Sequence, residues 1–417
     1  MRILLLVDVY LPHPKSQAKL IHDLGVALHG EGHSVTVLAP SDAVRSPFEI
    51  RTEENLRIVR VRGPRIKGAS RWLRAVHEER LSTRLWRRAR PFLESERFEL
   101  IVYYSPTIFF GRLVARLKRL WHCPAYLVLR DIFPQWAVDA GVLRKGLVWR
   151  FFRHREIQQY DAADIIGVQS PGNLEYFETQ MVGGRYRLEV LYNWTSLEEA
   201  PPSASVLRAR IGATDEAIFF YGGNIGVAQD MDNLLRLALA FPPQPRALFV
   251  FVGDGSEVGR LQRKIARERI DNIRLLPAVD QSSYLSMLKE ADVGLVSLDR
   301  RLRTQNFPGK TLGYMGASLP ILASLNPGND LAALLTDTGA GFCALNGNDD
   351  ELLEHAIVLA RDSALRRRMG AHARRLLGER FSAAAAARQI VAPWDRATSS
   401  VDPAPRKASS TPGSGLG

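Results

Sequence analysis

The chain opens on a short apolar run, Ile3–Val7, that stops at Asp8. A Pro-containing loop over Tyr10–Ser16 follows. Leu20, Ile21, Leu24 and Leu28 then recur at helical spacing over Ala18–His29. Gly30 and Gly32 end that helix, and Ser34–Ala39 has a β-rich composition. Further apolar runs lie at Ile58–Val61, Leu100–Tyr104, Ala125–Leu129 and Ile165–Val168, with helical stretches between several of them. Runs without polar alternation are buried on both faces. Interleaved with helices, they predict a parallel, doubly wound α/β sheet.

The pattern breaks at Thr195–Ser205, where Glu198, Glu199, Pro201 and Pro202 mark a linker, and then restarts. Ala217–Tyr221, Ala247–Val252, Ile273–Leu276, Val293–Ser297 and Pro320–Ala323 read as a second set of strands. Helical spacing over Leu352–Arg361 and Leu365–Leu377 closes this half. The expected organisation is a first Rossmann-like domain over 1–197, a second over 206–380, and an Ala-rich helix within 381–396 that packs back on the first. A Ser/Pro/Gly-rich tail over 398–417 is expected to be disordered. Two such domains facing across a cleft at their strand ends suit a nucleotide-linked ligand.

Composition narrows the class. At 417 residues, 46% hydrophobic and 24% charged, the chain can bury full cores and is not disordered throughout. Cys123 and Cys343 are the only cysteines, which argues against a disulfide framework or a zinc site. The opening run is too short for a signal peptide or a membrane span, and no later window reaches spanning length. The expected location is cytoplasmic, at most peripheral on the inner membrane. The net charge is +12, but residues 51–100 hold fourteen Lys/Arg against seven Asp/Glu, and residues 101–155 hold ten against two. The positive excess is therefore a patch in the N-terminal half. Arg144–Arg155 mixes its cations with Leu147, Val148, Trp149, Phe151 and Phe152, a composition that suits an anionic leaflet. Arg62–Arg90, with Trp72 and Trp86, extends this reading. The alternative is a core helix with a solvated basic face.

Three motifs carry candidate chemistry. Asn306-Phe-Pro-Gly-Lys-Thr-Leu-Gly-Tyr-Met315 places Pro308 and Gly309 at a turn into a helix, with Lys310 in its first turn, a cation suited to phosphate. The alternative is an ordinary junction with a solvated lysine. Tyr221-Gly-Gly-Asn-Ile-Gly226 follows a strand, where glycines permit close approach of backbone to a ligand. Arg130 and Asp131 end a buried strand, a frequent place for catalytic groups, although an ion pair or a helix cap is the commoner reason for such residues there. Asp230-Met-Asp232 spells a metal-binding D-x-D but sits at a helix start, so a capping role is preferred. No Walker A loop, HExxH or GxSxG is present.

These residues resemble glycosyltransferase family 4, retaining enzymes of GT-B fold, from Met1 to about Trp394. The resemblance rests on His33-Ser-Val-Thr-Val37, Gln169-Ser170, Val190-Leu-Tyr-Asn-Trp194, Val252-Gly-Asp-Gly255, Tyr284 with Ala291-Asp292-Val-Gly-Leu295 and the two glycine-rich segments above. Leu129-Arg-Asp-Ile-Phe-Pro-Gln135 and Gly309-Lys-Thr-Leu-Gly-Tyr-Met315 look like WbuB-type transferases of surface-polysaccharide assembly, often assigned N-acetylfucosamine (FucNAc) transfer. The resemblance implies a nucleotide-sugar donor, read as UDP-linked, and a lipid-linked or lipopolysaccharide acceptor. On the donor side it implies Gly222, Gly223, Asn224, Gln305, Asn306, Pro308, Gly309, Lys310 and Thr311, with Lys310 on the diphosphate. On the acceptor side it implies Ser16, Lys19, Ser105 and Asn193. Asp131 would position the acceptor hydroxyl, and Arg130 would orient Asp131 or meet acceptor phosphate. No metal or other cofactor is expected, since Lys310 and backbone N–H groups can stabilise the leaving diphosphate.

The chain departs from the family at two places. The two family glutamates fall at Gln305 and Gly313, and an Arg/Lys pair is replaced by Asn224 and Gln229. Two other functions compete: a UDP-sugar 2-epimerase of GT-B fold, and a basic nucleic-acid-binding protein without catalysis. Sugar transfer is preferred over both, because no nucleic-acid module is apparent and an epimerase has no use for the basic patch.

Overall fold

A computed structural model describes residues 1–13, 16–64, 79–139, 143–181, 184–195, 207–302 and 307–395. The first sheet contains β1 (Arg2–Leu6), β2 (Ser34–Ser41), β3 (Phe48–Glu53), β4 (Leu56–Arg62), β5 (Leu100–Tyr104), β6 (Ala125–Val128), β7 (Ile165–Val168) and β8 (Leu188–Val190). Its order is β3-β4-β2-β1-β5-β6-β7-β8, and only the β3–β4 pair is antiparallel. The second sheet contains β9 (Ala217–Gly222), β10 (Ala247–Gly253), β11 (Ile273–Pro277), β12 (Val293–Ser297), β13 (Ile321–Leu325) and β14 (Gly341–Leu345). Its order is β11-β10-β9-β12-β13-β14, parallel throughout.

Every residue of β5, β6, β7, β9, β10, β12 and β13 is buried. Helices on both faces of each sheet explain why these strands read as unbroken apolar runs. Alternate residues enter opposite cores: Leu4 and Leu6 lie on one side of β1, Ile3 and Leu5 on the other. Strand order reverses at β1 and again at β9. At such reversals a crevice opens beyond the carboxyl ends of the strands.

The chain passes between the halves after Thr195 and returns at Phe381. The two passages are bonded: Thr195 N–H donates to the Phe381 carbonyl at 2.9 Å and Ala383 N–H to the Thr195 carbonyl at 3.3 Å. The helix Ala383–Val391 then lies on the helix Ser16–Gly30. Ala383, Ala386, Ala387, Ile390 and Val391 share one core with Ile3, Leu5, Leu24 and Leu28. A further tie between the halves runs from Gly172 N–H to the Asp330 carboxylate at 3.1 Å. The linker after 195 and the tail from 396 lie outside the described residues.

Two readings of the basic region change. Trp86 is not a surface residue: it lies in the first-domain core, with the Arg116 guanidinium 3.7 Å above its ring. Residues 65–78, including Trp72, lie outside the described residues. Among the described residues, no helix is long and apolar enough to cross a membrane.

Candidate active site

The loop after β9 and the helix Lys310–Gly316, which leads into β13, stand on either side of the strand-order reversal. Gly223 adopts φ +118°, a region that favours glycine, and its N–H bonds the Val252 carbonyl at 2.9 Å. A Cβ on Gly253 would lie 1.9 Å from the Gly223 oxygen, so the loops after β9 and β10 interlock and hold the turn rigid. Tyr221 O–H donates to the Asn224 carbonyl at 2.6 Å. Asn224 donates to Gln229 Oε1 at 2.9 Å, and Gly226 N–H donates to the same atom at 3.1 Å. Asn224 and Gln229 thus close the turn on each other and bring no cation to it.

Lys310 supplies the charge. Its Nζ sits 3.4 Å from the centroid of the Tyr221 ring. Its Cε is 3.8 Å from where a Cβ on Gly223 would be. It has no carboxylate partner among the described residues, and desolvation pushes it down to about 7. Pro308 is buried and Gly309 is exposed at the mouth of this turn. Thr311 is fully buried, with its hydroxyl donating to the Pro308 carbonyl at 2.6 Å. It therefore shapes the turn and does not face a ligand. Gln305 and Asn306 lie outside the described residues. Gly313 faces Leu288 and Tyr284, each 3.5 Å from its would-be Cβ.

On the first sheet, the ends of β5 to β8 carry unspent polar groups. Ser105 Oγ, Arg130 Nε, Ser170 Oγ and Asn193 Oδ1 are buried without a hydrogen-bond partner. Buried polar groups are rarely left so, and these four fall on one rim of the sheet. Asp131 is exposed just beyond β6. Its carboxyl is raised from the ordinary aspartate range by desolvation, opposed by the Arg130 charge. Arg130 turns inward: it donates to the Leu191 carbonyl at 2.6 Å and the Tyr192 carbonyl at 3.3 Å, with Trp194 5.0 Å beneath it. The guanidinium therefore fixes the strand end and is not presented to a substrate. Lys19 is exposed and paired with Asp23 at 3.0 Å, and Ser16 opens the same helix. Asp230 stands at the helix start, but its carboxylate accepts from Asn346 at 3.1 Å and not from the helix N–H groups. Asp232 pairs with Arg260 and Lys264. Among the described residues, no cluster of three His, Cys, Asp or Glu could hold a metal.

Tyr221, Tyr284, Tyr314 and Ser170 all lie within the motifs quoted from the sequence, which gave none of them a site role. Tyr314 carried a signal, since it lies four residues after Lys310 on the same helix face.

Two doubly wound domains with a cation-bearing turn at the second strand-order reversal define a protein of GT-B fold. The chain belongs to the family-4 type of these glycosyltransferases: residues 17–194 match the glycosyl transferase 4-like domain, and residues 206–376 match glycosyl transferases group 1. Curated relatives include a probable glycosyltransferase WbjE of Pseudomonas aeruginosa, 26% identical over 220 residues, 52% of this chain and 54% of the relative. A putative colanic acid biosynthesis glycosyl transferase WcaI of Escherichia coli K12 is 24% identical over 222 residues, 50% of this chain and 53% of the relative. The chain thus spans about half the length of the curated relatives it matches. Among solved structures, Anabaena Alr3699/HepE in complex with UDP superposes with TM-score 0.64 at 15% identity, over 94% of this chain and 99% of that one. WaaG, a glycosyltransferase involved in lipopolysaccharide biosynthesis, gives 0.56 at 14%, over 93% and 99%.

Proposed function

We propose that this chain is a retaining hexosyl or N-acetylhexosaminyl transferase of surface-polysaccharide synthesis. It would move a sugar, an N-acetylated amino sugar such as FucNAc, from a UDP-linked donor to a lipid-linked or lipopolysaccharide acceptor. The observation that carries the reading is Lys310: an enclosed ammonium on an aromatic face, beside a glycine turn, with no carboxylate partner among the described residues. A diphosphate is the anion that such a group lacks, and it gains negative charge as the sugar departs. Lys310 and backbone around Gly222–Asn224 would stabilise that charge without a metal. Asp131, exposed beyond β6, would orient the acceptor hydroxyl, whose proton passes to a leaving phosphate oxygen in front-face attack. The unspent groups of Ser105 and Asn193 would take acceptor hydroxyls. Relatives named for colanic acid and neighbours solved with UDP or named for lipopolysaccharide support this choice.

Calorimetry with UDP, GDP and ADP tests the reading. UDP is expected to bind in the micromolar range, at least tenfold more weakly to Lys310→Ala. Asp131→Asn is expected to keep UDP affinity and lose turnover. Absence of nucleotide binding by the wild type, or full turnover by Asp131→Asn, would sink the respective assignment.

The acceptor's lipid calls for a membrane face, and we assign it to the start of the helix Leu147–Asp161. This helix has inverted polarity: Glu156 and Gln159 are fully buried, whereas Leu147 is 84% exposed, with Val148 and Phe151 also exposed. Arg144, Lys145 and Arg150 beside them have no carboxylate partner among the described residues, unlike Arg153 and Arg155, which pair with Glu156 and Glu79. Exposed apolar groups ringed by free cations suit an anionic leaflet at the cytoplasmic face of the inner membrane. The chain is expected to sediment with phosphatidylglycerol-containing vesicles at physiological salt, and Leu147→Ser/Phe151→Ser to remain in solution. Equal sedimentation of both would refute this face.

A further inference from the structure

We propose that Tyr284 is a positioning residue of the donor site, and that glycine is required at 222 and kept at 313 to seat its ring. The proposal rests on the donor reading above and names a residue that reading does not use. Tyr284 stands in the helix Gln281–Leu288, which follows β11. A Cβ on Gly222 would lie 2.3 Å from Tyr284 Cε2 and 2.9 Å from its hydroxyl oxygen. No side chain fits there while the ring stays in place. On the other side, the would-be Cβ of Gly313 is 3.5 Å from Tyr284 Cε1 and 3.7 Å from its oxygen. A methyl group is tolerated at that distance, but a longer side chain meets the ring.

The ring therefore fills the gap between the end of β9 and the helix that carries Lys310. Tyr314 is fully buried, donates to the Leu295 carbonyl at 3.1 Å and accepts the Gly222 N–H at 3.0 Å. The Tyr314 hydroxyl thus ties β9, β12 and the Lys310 helix, and the Tyr284 ring wedges β9 and that helix apart. That spacing sets Lys310 Nζ over Tyr221 and beside Gly223. A diphosphate that touches both the turn and the ammonium depends on it, because electrostatic contacts of this kind need fixed geometry.

The test is UDP calorimetry on the full chain, with thermal melting in the absence of nucleotide to confirm folding. Tyr284→Ala is expected to weaken UDP binding at least tenfold, while Tyr284→Phe, which keeps the ring, stays within threefold. Gly313→Leu should also weaken binding at least tenfold, and adding Tyr284→Ala to it should recover threefold or more, because the leucine then occupies the vacated space. The proton taken up by Lys310 on binding at pH 8 should fall in Tyr284→Ala and persist in Tyr284→Phe, a change that general loosening elsewhere does not produce. If Tyr284→Ala fails to fold, Gly313→Leu and Tyr284→Phe decide the matter. Wild-type affinity in folded Tyr284→Ala or in Gly313→Leu overturns the proposal alone. A wild type that binds no UDP, GDP or ADP overturns the donor reading, and this proposal with it.

Discussion

A lysine enclosed without a carboxylate is a proton switch as well as a binding group. Desolvation lowers Lys310 from 10.5 to about 7 in the folded chain. The unfolded chain therefore holds this proton more tightly, and the penalty is complete below about pH 7 and relieved as pH rises towards 10.5. A diphosphate against the ammonium reverses the balance by favouring the charged form. At pH 8 the free side chain is mostly neutral, so UDP binding is expected to take up close to one proton. At pH 6 it is already charged, and uptake should vanish. Calorimetry in buffers of different ionisation enthalpy measures this directly, and Lys310→Ala should show no uptake at either pH. Proton-neutral binding by the wild type at pH 8 would show that UDP does not meet Lys310. The neighbouring pair Arg130 and Asp131 shows what residue-level reading left out. Adjacent residues at a strand end point to opposite sides. One faces the cleft and the other must be satisfied inside, and here the carboxylate is exposed while Arg130 is spent on the carbonyls of Leu191 and Tyr192.

At the scale of elements, legibility followed burial. Strands covered on both faces leave uninterrupted apolar runs, so β5 to β7, β9, β10, β12 and β13 could be read directly, and β1, β2, β4 and β11 followed from shorter apolar stretches. Three strands left no such trace. β3 is an edge strand with three of its six residues exposed, joined to β4 through Glu54 and Asn55 at positive φ without a glycine to announce the turn. β8 has three residues, too few for a period to register. β14 begins at Gly341, whose missing side chain permits backbone packing: a Cβ there would lie 2.1 Å from the Ile321 oxygen. The same limit applies to the site. Phe-Pro-Gly-Lys and Tyr-Gly-Gly-Asn each announce a turn. The convergence of Tyr221, Tyr284 and Tyr314 around them depends on how three separate elements register, which no spacing within one element encodes. Gly313 reads from sequence as the loss of a carboxylate, whereas in three dimensions it is room for an aromatic ring.

At the scale of the molecule, the first domain is completed by the far end of the chain. Ala383, Ala386, Ala387 and Ile390 recur at helical spacing and enter the core built on β1, nearly the whole chain length away from it. The bonded passages at Thr195 and Phe381 bring that helix back and lace the two domains there, with a further tie at Gly172 and Asp330. Ile390 is fully buried among Ile3, Leu5, Leu24 and Leu28. Ile390→Ala is expected to cost about 2–5 kcal/mol through the lost contacts and the cavity left behind. At ~2–4 °C per kcal/mol for a domain of this size, the first-domain melting transition should fall by several degrees. UDP affinity should stay within twofold, because the turn after β9 and the Lys310 helix belong to the other sheet. Val358→Ala, at a position 43% exposed, supplies the control and should leave the melt in place. If Ile390→Ala melted like the wild type, the returning helix would be resting on the first domain without completing its core. If it lost UDP binding along with stability, the two halves would be unfolding as one unit, and the lacing at Thr195 and Phe381 would be coupling them far more tightly than two backbone bonds imply.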